Sequence, residues 1–106
     1  MNVPIDDRRV RYLYEAIMSG SVRAAADKLN MNPSVVSRQI AQLESELAVT
    51  LMERLGRGVK ATDAGQMLVE YFRQHRSHQD DVITKIQEIK GLKGGRIDLV
   101  LGEGFV

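Results

Sequence analysis

Three groups of side chains in this 106-residue chain have the types and spacing to do chemistry. The first lies between Met31 and Leu43, a run with no acidic residue although Asp and Glu fill 14 of the 106 positions. Here Asn32, Ser34, Ser37, Arg38, Gln39 and Gln42 supply amide, hydroxyl and guanidinium groups, with Pro33 and Val35 among them. Such groups hydrogen-bond to the phosphate oxygens and base edges of a nucleic acid. The second group is cationic: Arg54, Arg57 and Lys60, set against the single acid Glu53. Arg57 stands between Gly56 and Gly58, and a guanidinium on so narrow a tip suits the negative potential of a minor groove. The third is His75 and His78, three residues apart, the beginning of a metal pair. Gln79 and Asp80 do not complete it, so no metal site is expected.

Enzyme chemistry finds no footing. The chain has no cysteine, which removes thiolate zinc ligation, a disulfide framework and a Cys nucleophile. Ser21, Ser34 and Ser37 have no histidine near them in sequence. Gly56-Arg57-Gly58 and Gly102-Glu103-Gly104 lack the strand–helix context of a phosphate-binding loop. No catalytic residue and no cofactor are expected. No apolar run reaches the roughly 18 residues of a membrane span, and the first ten residues lack the apolar core of a signal peptide. With 43% hydrophobic and 27% charged residues, the composition is that of one small folded domain with an extension. A net charge of +1 is low for a nucleic-acid binder, but it does not say where the charges lie.

The elements that must position these groups follow from spacing. Val10, Leu13, Tyr14, Ile17 and Met18 recur at three and four, predicting a helix over residues 6–18 that Gly20 ends. Ser21 can cap a second helix whose Ala24, Ala25 and Ala26 allow close approach, with Leu29 as the larger anchor. Asn32 followed by Pro33 is a start signal for a third helix over residues 33–47. Val36, Ile40, Leu43 and Leu47 form its core stripe, which leaves the acid-free residues on the outer face. Glu44 and Glu46 fall on its last turn. Residues 51–55 and 59–61 read as two strands joined by the Gly-Arg-Gly tip. A polar helix face or a Gly-Arg-Gly turn is commonplace by itself. Two short helices joined by a tight turn, the second capped and polar, then a basic hairpin, is the order of a winged helix-turn-helix.

Residues 62–90 read as one helix, roughly 40 Å long at about 1.5 Å per residue, interrupted only by Gly65. Leu68, Tyr71, His75, His78, Val82, Lys85 and Ile89 alternate by three and four, and Met67, Phe72, Ile83 and Ile86 widen the stripe. Pairing with a second copy would bury this stripe, with Leu68, Tyr71, Phe72, His75, Val82, Ile86 and Ile89 in the seam. An extension kept in water by its charged face is the alternative. Five of the nine glycines lie in residues 91–106, so helix should stop near Lys90, and Ile97, Leu99 and Leu101 then alternate as a strand.

The run over residues 21–65 resembles the N-terminal domain of LysR-type transcriptional regulators, and the likeness extends over about residues 6–90. It rests on Ala24-Ala25, Ser37-Arg38-Gln39-Ile40, Leu43-Glu44, Leu47, Leu51, Glu53-Arg54 and Thr62 to Gly65. The resemblance implies a third helix in the major groove, read through Ser34, Ser37 and Arg38, and a wing on the backbone or minor groove with Arg57 at its tip. It also implies antiparallel pairing of the long helices, a homodimer on a dyad-related operator with room for a tetramer of the full-length protein, and a place in the cytoplasm at the nucleoid. The strand after the long helix would be the first of an effector-binding domain, so no small-molecule effector site is expected in this stretch. The family often has Gln-Pro where this chain has Pro33-Ser34, which shifts readout toward Ser34, Val35 and Arg38. Ala48 stands where glycine is usual and Met52 where phenylalanine is common.

The expected fold is therefore mainly α. A winged helix-turn-helix occupies residues 1–61, a linker and dimerisation helix residues 62–90, and a hinge with a first strand residues 91–106. Sequence-specific binding of double-stranded DNA is the expected function. Its rival is a helical dimerisation or interaction module that does not bind DNA.

Overall fold

The computed structural model describes residues 5–94, and the strand expected around Ile97 lies outside them. Helix α1 is Asp7–Ser19, α2 is Val22–Leu29 and α3 is Pro33–Leu47. Strands β1, Met52–Arg54, and β2, Val59–Ala61, follow, and then helix α4, Asp63–Gly94.

Each short helix has a side-chain cap that satisfies free N–H groups of its first turn. Asp6 accepts from the Arg8 and Arg9 amides at 3.0 and 3.3 Å, Ser21 from Ala24 at 3.0 Å, and Asn32 from Ser34 at 2.9 Å. At their C-termini the chain turns through left-handed residues: Gly20, Asn30 and Ala48. Gly20 suits that conformation, and Asn30 tolerates it. Ala48, at φ 56°, holds it against its Cβ, with its N–H bonded back to Glu44 and Ser45.

Val10, Leu13 and Ala16 of α1, Ala25 and Ala26 of α2, and Val36, Ile40 and Leu43 of α3 are buried together with Leu51, Met52 and Val59 of the wing. Fully burying a side chain of the size of Ile40 or Leu13 contributes about 1.5–3 kcal/mol. The alanines let α2 lie close to its neighbours, as the small-residue run predicts. The buried Glu15 carboxylate faces Lys28 Nζ at 3.1 Å, an ion pair tying α1 to α2. The strands pair antiparallel, with Met52 opposite Ala61, Glu53 opposite Lys60 and Arg54 opposite Val59. β1 is shorter than predicted, while β2 has the predicted bounds. Leu51 turns into the core, while Leu55 is exposed and its N–H closes the tip on the Gly58 carbonyl at 2.9 Å.

Compactness divides the chain after Arg73. Before that point, Val69 of α4 is buried, and Leu68 and Phe72 lie against the core. After it, α4 continues as helix with Val82, Ile83, Ile86 and Ile89 exposed. The helix runs to Gly94, past the stop expected near Lys90. A single Gly91 costs a helix about 1 kcal/mol, which is too little to end one that continues on both sides. Among the described residues no helix is long and apolar enough to cross a membrane.

Candidate nucleic-acid interface

The α3 face opposite Val36, Ile40 and Leu43 carries Ser34, Arg38, Ala41, Gln42 and Ser45, all exposed, beside half-buried Val35 and Ser37. Asn32, exposed at the helix start, is occupied as the cap: its Oδ1 also accepts from the Ser34 hydroxyl at 2.8 Å. Pro33 is half-buried at the first helical position, where its missing N–H leaves no bond unmade. Gln39, expected on the outer face, is turned toward α1, where its Oε1 accepts from Arg9 Nε at 2.8 Å. Ala41 and Ser45, not singled out from sequence, share the exposed face.

Two of the acids near this face, Glu44 and Glu46, are held by internal partners. Glu44 Oε2 accepts from the Leu51 and Met52 amides at 2.8 and 3.3 Å, so the carboxylate holds the start of the wing. Glu46 pairs with Arg9 Nη1 at 2.8 Å. Glu53 stands across the strands from Lys60. Arg57 is exposed at the tip and Lys60 is exposed on β2, whereas Arg54 Nη2 donates to Ser37 Oγ at 2.6 Å, joining wing to helix.

The wing is fixed at its base. Val59 N–H donates to the Gly20 carbonyl at 2.9 Å, and a Cβ on Gly58, which sits at φ 76°, would overlap that carbonyl oxygen. Thr62 donates its hydroxyl to the Thr50 carbonyl at 2.6 Å and accepts from the Gly65 amide at 3.1 Å, capping α4 while fastening it to the segment that leads into β1. A Cβ on Gly65 would overlap the Leu51 carbonyl oxygen and come within 2.9 Å of its carbon. Arg9, Glu44, Thr62 and Gly65 are positioning residues; the last three belong to the run that carries the family resemblance, but their spacing alone does not indicate this role. An isolated glycine in a helical run was the one available sign of close backbone approach.

The residues expected in the α4 seam divide into two sets. Phe72 stacks obliquely on Tyr14, with ring centroids 4.8 Å apart, and Leu68 packs on the same core. Tyr71 Oη donates to Asp7 Oδ1 at 3.4 Å. Partial burial and the adjacent Asp7 carboxylate, which opposes a phenolate and accepts the phenol's hydrogen bond, raise the Tyr71 pKa above its ordinary value. His75 is half-buried, 3.5 Å from Gln79 Nε2, while Val82, Ile86 and Ile89 are exposed. Among the described residues no three His, Cys, Asp or Glu side chains could together hold a metal ion.

Three helices in this order and a two-stranded wing continuing into α4 define a winged helix-turn-helix module. The chain belongs to the lysR family of bacterial regulatory helix-turn-helix proteins, whose family model matches residues 8–66. It is 33% identical over 96 residues to the HTH-type transcriptional activator TtdR of Escherichia coli K12, covering 91% of this chain and 31% of that protein. The chain thus spans about a third of the length of that relative. Its fold is similar to that of the BenM DBD in complex with benA site 1 DNA, with TM-score 0.72 and 34% identity over 79% of this chain and 98% of that one. Full-length LysG from Corynebacterium glutamicum is also similar, with TM-score 0.78 and 26% identity over 83% of this chain and 30% of that one. The curated relatives bear the names of transcriptional regulators and activators rather than enzymes.

Proposed function

We propose that this chain is the sequence-specific double-stranded-DNA-binding part of a LysR-type transcriptional regulator, with α3 in the major groove and the wing on the backbone or minor groove. One observation carries the reading: α3 exposes Ser34, Arg38 and Gln42 without an acid among them, while Glu44 and Glu46 are occupied by internal partners. A scaffold that met only other proteins would have no need of that arrangement. In this reading Ser34, Ser37, Arg38 and Gln42 face bases or phosphates, and Asn32, Pro33, Val35 and Gln39 shape the surface around them. Arg54, Arg57 and Lys60 neutralise phosphates.

The exposed Val82, Ile83, Ile86 and Ile89 support a homodimer through α4, which would set two reading domains on the halves of a dyad-related operator. Residues 1–61 are the reading domain and α4 the linker. The full-length protein, at the relatives' size, has room for an effector-binding domain after residue 91 and for assembly into a tetramer. It acts in the cytoplasm, at the nucleoid.

Three phosphate-neutralising cations per subunit and two subunits give a slope of about −5 in log K against log salt. Affinity for random duplex DNA should then fall about a thousandfold between 50 and 200 mM salt, read by fluorescence anisotropy. In-vitro selection on the same protein should recover a two-fold-related site. A salt-independent Kd would sink the proposal and leave a protein-interaction module in its place.

A further inference from the structure

Building on the DNA-binding reading above, we infer that Arg54 of the wing fixes Ser37 as a hydrogen-bond donor toward the duplex, so that the DNA group met by Ser37 is an acceptor. The geometry is a single contact across two elements: Arg54 Nη2 lies 2.6 Å from Ser37 Oγ. A guanidinium carries five N–H groups and no acceptor, so the serine oxygen must be the acceptor in this bond. The hydroxyl proton is then directed away from Arg54. It has no hydrogen-bond acceptor in the protein among the described residues. A cationic donor on the oxygen also polarises the hydroxyl, which makes its proton the better donor.

A serine by itself reads either kind of base edge, because its hydroxyl rotates to suit. Ser37 held by Arg54 has lost that freedom. One of its two lone pairs is taken by Arg54 and its proton points away from the guanidinium, so the group that meets it best is a phosphate oxygen, a purine N7, guanine O6 or thymine O4. The amino groups of cytosine and adenine would reach only the remaining lone pair, beside the cationic guanidinium, and leave the serine proton unpaired. Arg54 is thus a positioning residue whose effect is on base preference as well as on affinity.

The fold keeps Arg54 in place. It pairs with Val59 in the strand register, and the Val59 amide is bonded to Gly20 at the base of the wing. Ser37 is half-buried on a helix whose core side is fully packed. The contact therefore joins two elements that are each anchored independently of the DNA.

The probe is the duplex that this chain itself selects in vitro, carrying single-site changes that each delete one acceptor. Purines are replaced by 7-deaza analogues, guanine by 2-aminopurine, thymine by 5-methyl-2-pyrimidinone, and phosphates by methylphosphonates. One replacement should weaken wild-type binding about tenfold, leave Ser37→Ala within twofold of its own unmodified value, and cost Arg54→Ala only two- to threefold. Whether that replacement is a base analogue or a methylphosphonate identifies the acceptor as base or phosphate. Ser37→Thr, which keeps the hydroxyl, should retain the full penalty. The inference is overturned if Ser37→Ala matches wild type at every replacement, or if Arg54→Ala shows the whole wild-type penalty, because Ser37 would then need no positioning. If selection recovers no duplex, the DNA reading itself fails, a result distinct from either of these.

Discussion

Replacing Gly65 with alanine sets two effects of opposite sign against each other. Gly65 is the third residue of α4, and alanine is favoured over glycine in a helix by about 1 kcal/mol, so propensity alone predicts a more stable protein. The new Cβ, however, would overlap the Leu51 carbonyl oxygen and lie 2.9 Å from the carbonyl carbon. These are backbone atoms and cannot rotate away. Leu51 is also tied by its N–H to Glu44 and by its carbonyl to the Thr62 amide, so yielding there disturbs both anchors of the wing. Overpacking typically costs about 1–3 kcal/mol, and a clash with backbone belongs at or above the top of that range. Gly65→Ala should therefore lose about 2 kcal/mol net, lowering Tm by about 8–16 °C for a domain of this size. The control is Gly56→Ala at the wing tip, where a Cβ meets nothing within 4 Å and stability should hold to within about 0.5 kcal/mol. Thermal unfolding followed by circular dichroism compares the two. A Gly65→Ala protein as stable as wild type would refute the close packing of α4 on the Leu51 backbone.

Other substitutions probe separate parts of the molecule. Ala48→Gly removes a Cβ from a left-handed residue and should stabilise by about 1 kcal/mol in urea titration; an unchanged midpoint would mean that Ala48 is unstrained there. Lys28→Ala leaves the Glu15 carboxylate buried without its cation. Because Lys28 is largely exposed, the expected loss is about 1–2 kcal/mol rather than that of a fully buried pair, and a Tm within 2 °C of wild type, roughly 0.5 kcal/mol or less, would dismiss the pair as a contributor. Arg38→Ala should weaken binding to the selected duplex by about 1–3 kcal/mol and relax preference at one base pair. An equal loss of affinity on every sequence, with base preference unchanged, would instead make Arg38 a phosphate contact. Ile86→Asp places a charge on the exposed stripe of α4 and should shift sedimentation toward monomer without altering the melting of the N-terminal helices.

Local pattern captured what local physics decides. The Asn32 cap and Pro33 placed the start of α3 correctly, and the four-three-four spacing of Val36, Ile40, Leu43 and Leu47 placed its inner face. The boundaries of α1 came within a residue because Asp6 and Gly20 are strong signals at either end. What escaped depends on partners distant in sequence. Gln39 has the spacing of an outer residue, yet Arg9, thirty positions earlier, draws it inward. Spacing places Glu44 on the last turn of α3, and only the return of the chain at Leu51 and Met52 makes it a clamp. On α4, periodicity marks Leu68, Phe72, Val82 and Ile86 as one stripe and cannot tell that the first two pack on Tyr14 and the core. Met18 continues the apolar spacing of α1 but is more than half exposed.

The bond between Gly20 and the wing bears on how such a module diversifies. Positions 20 and 58 are tied together: a Cβ at Gly58 would strike the Gly20 carbonyl, Gly20 itself holds a left-handed φ of 85°, and an added residue in the turn between α1 and α2 would tear the hairpin from its base. The tip two residues away is unconstrained, since Gly56 faces open space and Arg57 is free of the core. Lineages descending from this sequence can lengthen or recolour the tip, and so alter which flanking DNA they sample, without renegotiating the fold. The turn at Gly20 looks equally superficial, but it should stay unchanged in length for as long as the wing is kept.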